Sequence, residues 1–466
     1  MLDPLPWPGL VSDGVATSAP APESAPSVPV HPWHRLVGDP ADADAWILLG
    51  AMPDQTGDRA ALCHRRALVV DPTRELAWAH RAAGLTARGR HAEAVACNRV
   101  AVALWPDSPL ASLNLTNTLY RAGDFDEELA VLARLVRLEP DNPVMRWGRS
   151  QIRLHRADYE GGFADYESRY WLPEYVYRLH RGPRWDGAPL DGKFIMVTLE
   201  QGFGDTLLMA RYLPMLKALG ARRVMVELRD ELRRLFAGME GVDAFIAENA
   251  APTPLYHVHS SIMSLPLRFG TRFDSVPPPV RLAVPEEARA KAARLLGPDD
   301  GRLRVGVVWS GNAAFSSNAI RATTLDRFLR FLEVPGVAVY SLQKGPPEEE
   351  LGRLPPGTPI VPLGPELEDF ADTAAVVERL DLVIMTDSSV AHLAGSLGTP
   401  VWNLLQHVPY WVYGRSGTTT PWYPSMRLYR QGPDEDWEPV FEAALRDLRA
   451  LAGRRAVLPR PGGSGA

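Results

Sequence analysis

The stretch Leu382-Val383-Ile384-Met385-Thr386-Asp387-Ser388-Ser389-Val390-Ala391-His392-Leu393-Ala394-Gly395 holds the residues best suited to bind a charged ligand. Four apolar residues read as a buried strand, a small polar turn follows, and a helix then starts with two serines in its first turn. Gly398 and Pro400 stop that helix, and Val401 to Leu405 read as the next strand. The free N–H groups and positive dipole end of such a helix favour a phosphate. Ser388 and Ser389 are the predicted donors, through both backbone and hydroxyl. Asp387 would orient the loop or accept a ligand hydroxyl. His392, three residues beyond Ser389, shares its helix face. It either contacts the ligand or is a satisfied, half-buried histidine.

A second stretch, Glu200-Gln201-Gly202-Phe203-Gly204-Asp205-Thr206, also follows an apolar run. Gly202 and Gly204 allow a sharp turn and close approach of the backbone to a ligand. Asp205 then stands at a strand end, as a carboxylate on a cleft floor or as a simple helix cap. Trp309-Ser310-Gly311-Asn312 and Ser341-Leu342-Gln343-Lys344-Gly345 follow two further predicted strands, and Arg321 lies beyond a polar loop. Arg321 and Lys344 suit neutralisation of a diphosphate, the alternative being ordinary surface cations. Asp42-Ala43-Asp44 and Asp434-Glu435-Asp436 have a metal-binding spacing but poor contexts. His257-Val258-His259 lacks a third ligand. No metal site is expected, and there is no Walker loop or nucleophile elbow.

These residues need two kinds of scaffold. Residues 1–40 are rich in Pro, Ala and Ser and read as a disordered tail. Over 41–171, Pro72, Pro106 and Pro140 recur every 34 residues, as do Gly89 and Gly123, and Trp78 and Ser112. A helix-turn-helix unit of that period resembles the tetratricopeptide repeat, here about four units with atypical outer ones, the alternative being an irregular helical bundle. Ala82 and Ala94 are small where helices touch; Leu115, Leu119, Leu132 and Leu135 are large where repeats stack. Cys63 and Cys97 are one repeat apart and read as packing residues, too distant to bridge.

A linker at 172–190 leads to an α/β pattern. Strands are predicted at 194–199, 223–228, 304–309, 337–342, 382–385 and 401–405. Helices are predicted at 206–219, 231–237, 286–296, 325–332, 369–380 and 438–451, with weaker elements at 257–266. Two consecutive α/β series, 191–285 and 286–452, imply two Rossmann-like halves with a cleft between them, ligands lying beyond the carboxyl ends of the strands. Residues 453–466 read as a second disordered tail.

The chain has 466 residues, 46% hydrophobic and 23% charged, with a formal net charge of -6. That balance fits a globular protein with full cores and argues against a general nucleic-acid binder. No apolar run reaches the ~18 residues of a membrane span. Met1 to Leu10 lacks a basic segment, so a secretory signal is not expected and a cytoplasmic location is.

The combination resembles tetratricopeptide repeats fused to a GT-B glycosyltransferase domain similar to the ADP-heptose heptosyltransferases (family 9-like). The carriers are Glu200–Asp205, Trp309–Asn312 with Arg321, Ser341–Gly345, Thr386–Gly395 and Trp422-Tyr423-Pro424-Ser425-Met426-Arg427-Leu428. The resemblance implies an inverting, metal-independent bacterial enzyme with a nucleotide-sugar donor as substrate and no cofactor. It makes Asp205 the general base. It assigns the donor to Gly204, Gly311, Asn312, Arg321, Gln343, Lys344, Asp387, Ser388, Ser389 and His392. Heptosyltransferases usually carry Asp-Thr-Gly or Asp-Ser-Gly where this chain has Asp387-Ser388-Ser389, and the Ser389 side chain crowds a close phosphate. ADP-heptose is therefore not assumed. The repeats imply a protein acceptor, as in bacterial flagellin glycosyltransferases, which use a CMP-linked nonulosonic acid. The alternatives are a non-catalytic repeat scaffold with a degenerate transferase domain, and a lipopolysaccharide sugar transferase.

Overall fold

A computed structural model describes residues 31–52, 57–172, 175, 182–248, 250, 254–312, 315 and 318–457. It divides into two compact units. One contains 31–152 and 168–175; the other contains Arg153–Glu167 and the described residues from 182 onward.

The first unit is built of helical hairpins. Its helices include Ala43–Gly50, Gly57–Val70, Glu75–Thr86, His91–Leu104, Pro109–Ala122 and Phe125–Leu138, with Pro143–His155 running on to the second unit. Ala82 and Ala94 are buried against one another's helices with Leu85 and Cys97. Leu115, Leu119, Leu132 and Leu135 are buried, the first two packing with Val95 of the preceding unit and Leu135 with Met145 of the following one. Cys63 and Cys97 are buried free thiols.

The 34-residue register has a physical basis. The Trp78 indole donates to the Pro72 carbonyl at 2.9 Å, closing the turn before its helix. One repeat later Ser112 stands in the Trp position, and Arg134 takes over, donating to the Pro106 carbonyl at 3.1 Å and to Ser112 Oγ at 2.8 Å. The turn glycines Gly89 and Gly123 are left-handed, with φ of 70° and 73°. Ala157, 34 residues on, holds the same conformation at φ 63°, although a Cβ disfavours it.

The second unit has two sheets, both wholly parallel. The first contains β1 (Phe194–Thr198), β2 (Arg223–Leu228), β3 (Ala244–Ala247) and β4 (Val258–Ser261), in the order β3-β2-β1-β4. The second contains β5 (Leu303–Val308), β6 (Val337–Ser341), β7 (Ile360–Pro362), β8 (Leu382–Thr386), β9 (Val401–Leu405) and β10 (Met426–Arg430), in the order β10-β9-β8-β5-β6-β7. Central strands read as continuous apolar runs because helices cover both faces. Val305, Val307, Ile384 and Leu404 pack with Phe328, Phe331 and Phe441 in the larger core. Each sheet starts at a central strand, builds to one side and then crosses to the other. The switch points, between β1 and β4 and between β5 and β8, are where ligands bind in such sheets.

Several boundaries differ from expectation, among them the helix expected at 206–219, which is broken into Phe203–Met209 and Leu213–Ala218 by a tight turn at Ala210–Tyr212. A helix at Pro32–Gly38 occupies the end of the expected tail, started by Pro32 at its first position; residues 1–30 lie outside the described residues. Helix Tyr159–Tyr166 falls in the α/β unit rather than with the repeats. There Tyr159 accepts a hydrogen bond from the Trp422 indole at 2.8 Å. The last helix continues to Val457, past the expected 451, and 458–466 lie outside the described residues. The helix after β1 starts at Phe203 rather than Thr206, because extended Gly202 caps it.

Candidate functional site

The carboxyl ends of β1, β5, β6 and β8 meet at one cleft of about 950 Å³ between the two sheets of the α/β unit. Its walls include Gly202, Phe203 and Gly204 from the first lobe, and Gly311, Asn312, Arg321, Gln343, Lys344, Asp387, Ser388, Ser389 and His392 from the second. Gly204 brings the lobes together. A Cβ there would lie 2.7 Å from His392 Cδ2 and 3.5 Å from Ser389 Cα. Gln201, at the turn out of β1, is left-handed at φ 66°, a strained conformation of a kind often found at functional sites.

On the second-lobe wall, Ser388 caps the Ser389–Leu397 helix with extended backbone, and Gly398 ends it in the left-handed conformation. The Ser388 hydroxyl is shielded from solvent and has no hydrogen-bond partner. Arg321 is 8% exposed. Its guanidinium stacks 4.6 Å from the Phe315 ring centre and reaches Asp387 at 3.8 Å, and its Nε is likewise buried and unpartnered. A helix N-terminus, an idle hydroxyl and an idle guanidinium N–H on one wall form a set of donors matched to an anion.

Three second-lobe residues of the cleft also hold partners within the protein. Gln343 is 1% exposed and pins backbone. Its Oε1 accepts from Trp309 N and Ser310 N at 3.1 and 3.0 Å, and its Nε2 donates to the Ser310 and Lys344 carbonyls. Lys344 lines the cleft, but its ammonium donates to the Gly364 carbonyl at 3.0 Å and to that of Leu367, which leaves less of it for a diphosphate. His392 is buried, its Nδ1 3.2 Å from the Tyr423 hydroxyl and its Nε2 3.5 Å from that of Tyr413. Burial, with the Arg211 and Arg321 cations nearby, drives it down to about 3, so it is a neutral, satisfied imidazole. Gly311 donates its N–H to Asn318 Oδ1 at 3.0 Å, which shapes the loop that carries Asn312.

Asp205 is both cap and buried acid. Its Oδ2 accepts from Gly202 N at 3.0 Å, and its Oδ1 accepts from the Tyr410 hydroxyl at 3.0 Å. It is 1% exposed, and burial pushes its carboxyl above the ordinary range. Asp387 is raised for the same reason while the Tyr413 hydroxyl donates to it at 2.9 Å. Tyr410 lines the cleft and Asp205 itself does not.

The aromatic residues Tyr410 and Tyr413 are site residues that strand-end reasoning missed. They follow β9, an internal strand of the second lobe's sheet. The remaining acidic and histidine pairs serve local structure. Asp42 caps a helix through Ala45 N at 2.9 Å and pairs with Arg35. Asp436 accepts from Glu438 N at 2.9 Å, and His257 Nδ1 accepts from Phe194 N at 2.9 Å. Among the described residues no group of three or more His, Cys, Asp or Glu is arranged to hold a metal ion.

The strand orders and the cleft at the switch points define a GT-B-type pair of Rossmann-like lobes, preceded in the chain by tetratricopeptide-type helical hairpins. The sequence is 31% identical over 385 residues to Protein FlbA of Caulobacter vibrioides, an alignment covering 74% of this chain and 63% of that protein. The chain thus spans less than two thirds of that relative's length. No protein-family model matches. Among solved structures, ADP-heptose LPS heptosyltransferase II of E. coli matches with 14% identity and a TM-score of 0.43, over 57% of this chain and 100% of the other. The family 9 glycosyl transferase of Veillonella parvula matches with 14% identity and a TM-score of 0.40, over 60% and 94%. A mutant O-GlcNAc transferase of Thermobaculum terrenum matches with 15% identity and a TM-score of 0.31, over 90% and 93%.

Proposed function

We propose that the chain is an inverting, metal-independent glycosyltransferase that moves a sugar from a nucleotide-sugar to a protein acceptor held by the repeats, with flagellin the first acceptor to test and the cytoplasm its place of action. One observation carries the reading. A buried carboxylate, Asp205, stands behind the first-lobe wall, and an open helix N-terminus with unpartnered Ser388 Oγ and Arg321 Nε stands on the second. A glycosyl transfer needs both parts, a base for the acceptor hydroxyl and fixed donors for the charge that develops on the leaving phosphate. The acceptor oxygen attacks the anomeric carbon opposite the nucleotide. Its proton ends on Asp205, and the Ser388 and Ser389 N–H groups with Arg321 receive the phosphate charge.

The test is a thermal-shift screen of the full chain against ADP-, UDP-, GDP- and CMP-sugars, followed by mass spectrometry of flagellin incubated with the donor that binds. A donor at 100 times its dissociation constant adds about 2.7 kcal/mol. Asp205→Asn lowers transfer by about 10²–10⁴-fold while donor binding persists. Full transfer by Asp205→Asn would mean that another group is the base. A second reading, a repeat scaffold with a degenerate transferase domain, draws on the cover that Tyr410 forms over Asp205. It requires that no donor shifts the melting temperature.

A further inference from the structure

Resting on the transferase reading, we propose that Tyr410 is a second catalytic residue, taking the acceptor proton on its phenolic oxygen as it passes its own proton to Asp205. The geometry leaves the acceptor few alternatives. One Asp205 oxygen is committed to Gly202 N and the other to the Tyr410 hydroxyl, each at 3.0 Å. Asp205 contributes nothing to the cleft wall, whereas Tyr410 does. A hydroxyl in the cleft therefore meets Tyr410 first.

Tyr410 is also poorly placed to swing away. The carbonyl of the preceding Pro409 lies 2.8 Å from His155 Nε2. The following Trp411 is 1% exposed, packed edge-on to Tyr159, Phe163 and Trp422. Both ends of the segment are anchored, which favours a relay over a gate.

A phenol suits the role because one oxygen can donate and accept at once. Burial keeps the Tyr410 hydroxyl protonated at neutral pH, and it makes Asp205 a stronger final base than an exposed aspartate. In the step, the acceptor O–H proton moves to Tyr410 Oη as the Tyr410 proton moves to Asp205 Oδ1. The acceptor oxygen bonds to the anomeric carbon, and the bond from that carbon to the nucleotide phosphate oxygen breaks. The negative charge lost by Asp205 reappears on the departing phosphate. Tyr410 ends neutral, and Asp205 releases its proton to solvent after the products leave.

The experiment compares wild type, Tyr410→Phe, Asp205→Asn and the double variant as full chains, in single-turnover transfer from whichever of the four nucleotide-sugars binds. The relay requires Tyr410→Phe to lose about 10²-fold or more in rate, with donor binding unchanged and a cooperative melt retained. The double variant should fall no further than Asp205→Asn, because the two residues act as one unit. In wild type, the rate in H₂O–D₂O mixtures should curve as two protons in flight demand. A Tyr410→Phe rate within threefold of wild type, or a linear solvent dependence in wild type, overturns the relay. A fully active Asp205→Asn would mean that another group is the base and overturns the relay as well, whereas a wild-type chain that binds none of the four nucleotide-sugars and transfers no sugar overturns the transferase reading itself.

Discussion

A methyl group at residue 204 would have to occupy space held by His392, 2.7 Å from its Cδ2, with Ser389 Cα 3.5 Å away on the same side. The imidazole cannot retreat, since tyrosine hydroxyls flank both of its nitrogens. Gly204→Ala therefore moves one lobe against the other. A displacement of about 1 Å costs on the order of 10²-fold in rate, to be read as kcat/KM in the transfer assay, and a wild-type value would contradict the close approach. His392 gives a separate test that needs no substrate. Its folded value near 3 lies below the ordinary histidine value of 6.5. As pH falls below 6.5 the unfolded chain binds a proton that the folded chain refuses, so stability is full above that pH and is lost on the way down toward 3. The loss is about 1.4 kcal/mol per pH unit in that window. Denaturant unfolding between pH 5 and 6.5 should show this slope in wild type relative to His392→Gln. Equal slopes would mean that the imidazole is charged in the fold. Asp205 and Asp387, raised by burial, act in the opposite direction, which is why the comparison between variants, rather than the wild-type slope alone, is diagnostic.

At the scale of elements, the left-handed turn at Ala157 is a local conflict. Its counterparts 34 and 68 residues earlier are glycines. Ala157→Gly should raise stability by about 1 kcal/mol, the cost of a Cβ in that conformation less the entropy glycine brings to the unfolded chain. An urea midpoint that falls instead would show that the alanine methyl packs usefully. The same scale explains how much of the site was legible. β2, β9 and the Glu286–Leu296 helix lie where apolar runs and flanking Gly and Pro put them. The start of the helix after β1 did not, because Phe203 looks like strand or loop while the extended backbone of Gly202 makes the cap. Gln343, Lys344 and His392 carry the residue types of a binding site. Their hydrogen-bond partners, which no spacing reveals, turn the first two largely toward backbone and the third toward tyrosines.

For the whole molecule, the boundary between the repeats and the α/β unit matters in practice. Removal of residues 41–170 would take away Tyr159, whose hydroxyl receives the Trp422 indole, and Phe163, which packs on Trp411. That deletion should unfold the α/β unit. Deletion only through residue 152 follows the division between the compact units. It should leave a cooperative melt and donor binding while transfer to a protein acceptor is lost. Retained protein transfer after that deletion would assign the acceptor to the α/β unit alone.

The amino-acid order by itself determined the periodic features: a 34-residue helical repeat, two parallel α/β series, and polar turns after β1, β5, β6 and β8. These follow from hydrophobic spacing and from Gly and Pro, which act over a few residues. The tertiary structure alone decided what the polar groups do. Whether Asp205 faces the cleft or lies behind Tyr410, 205 positions away in the chain, depends on a contact between lobes that local sequence does not encode. The same holds for the burial that neutralises His392 and raises Asp205, since desolvation is a property of everything packed around a group and not of its neighbours in the chain.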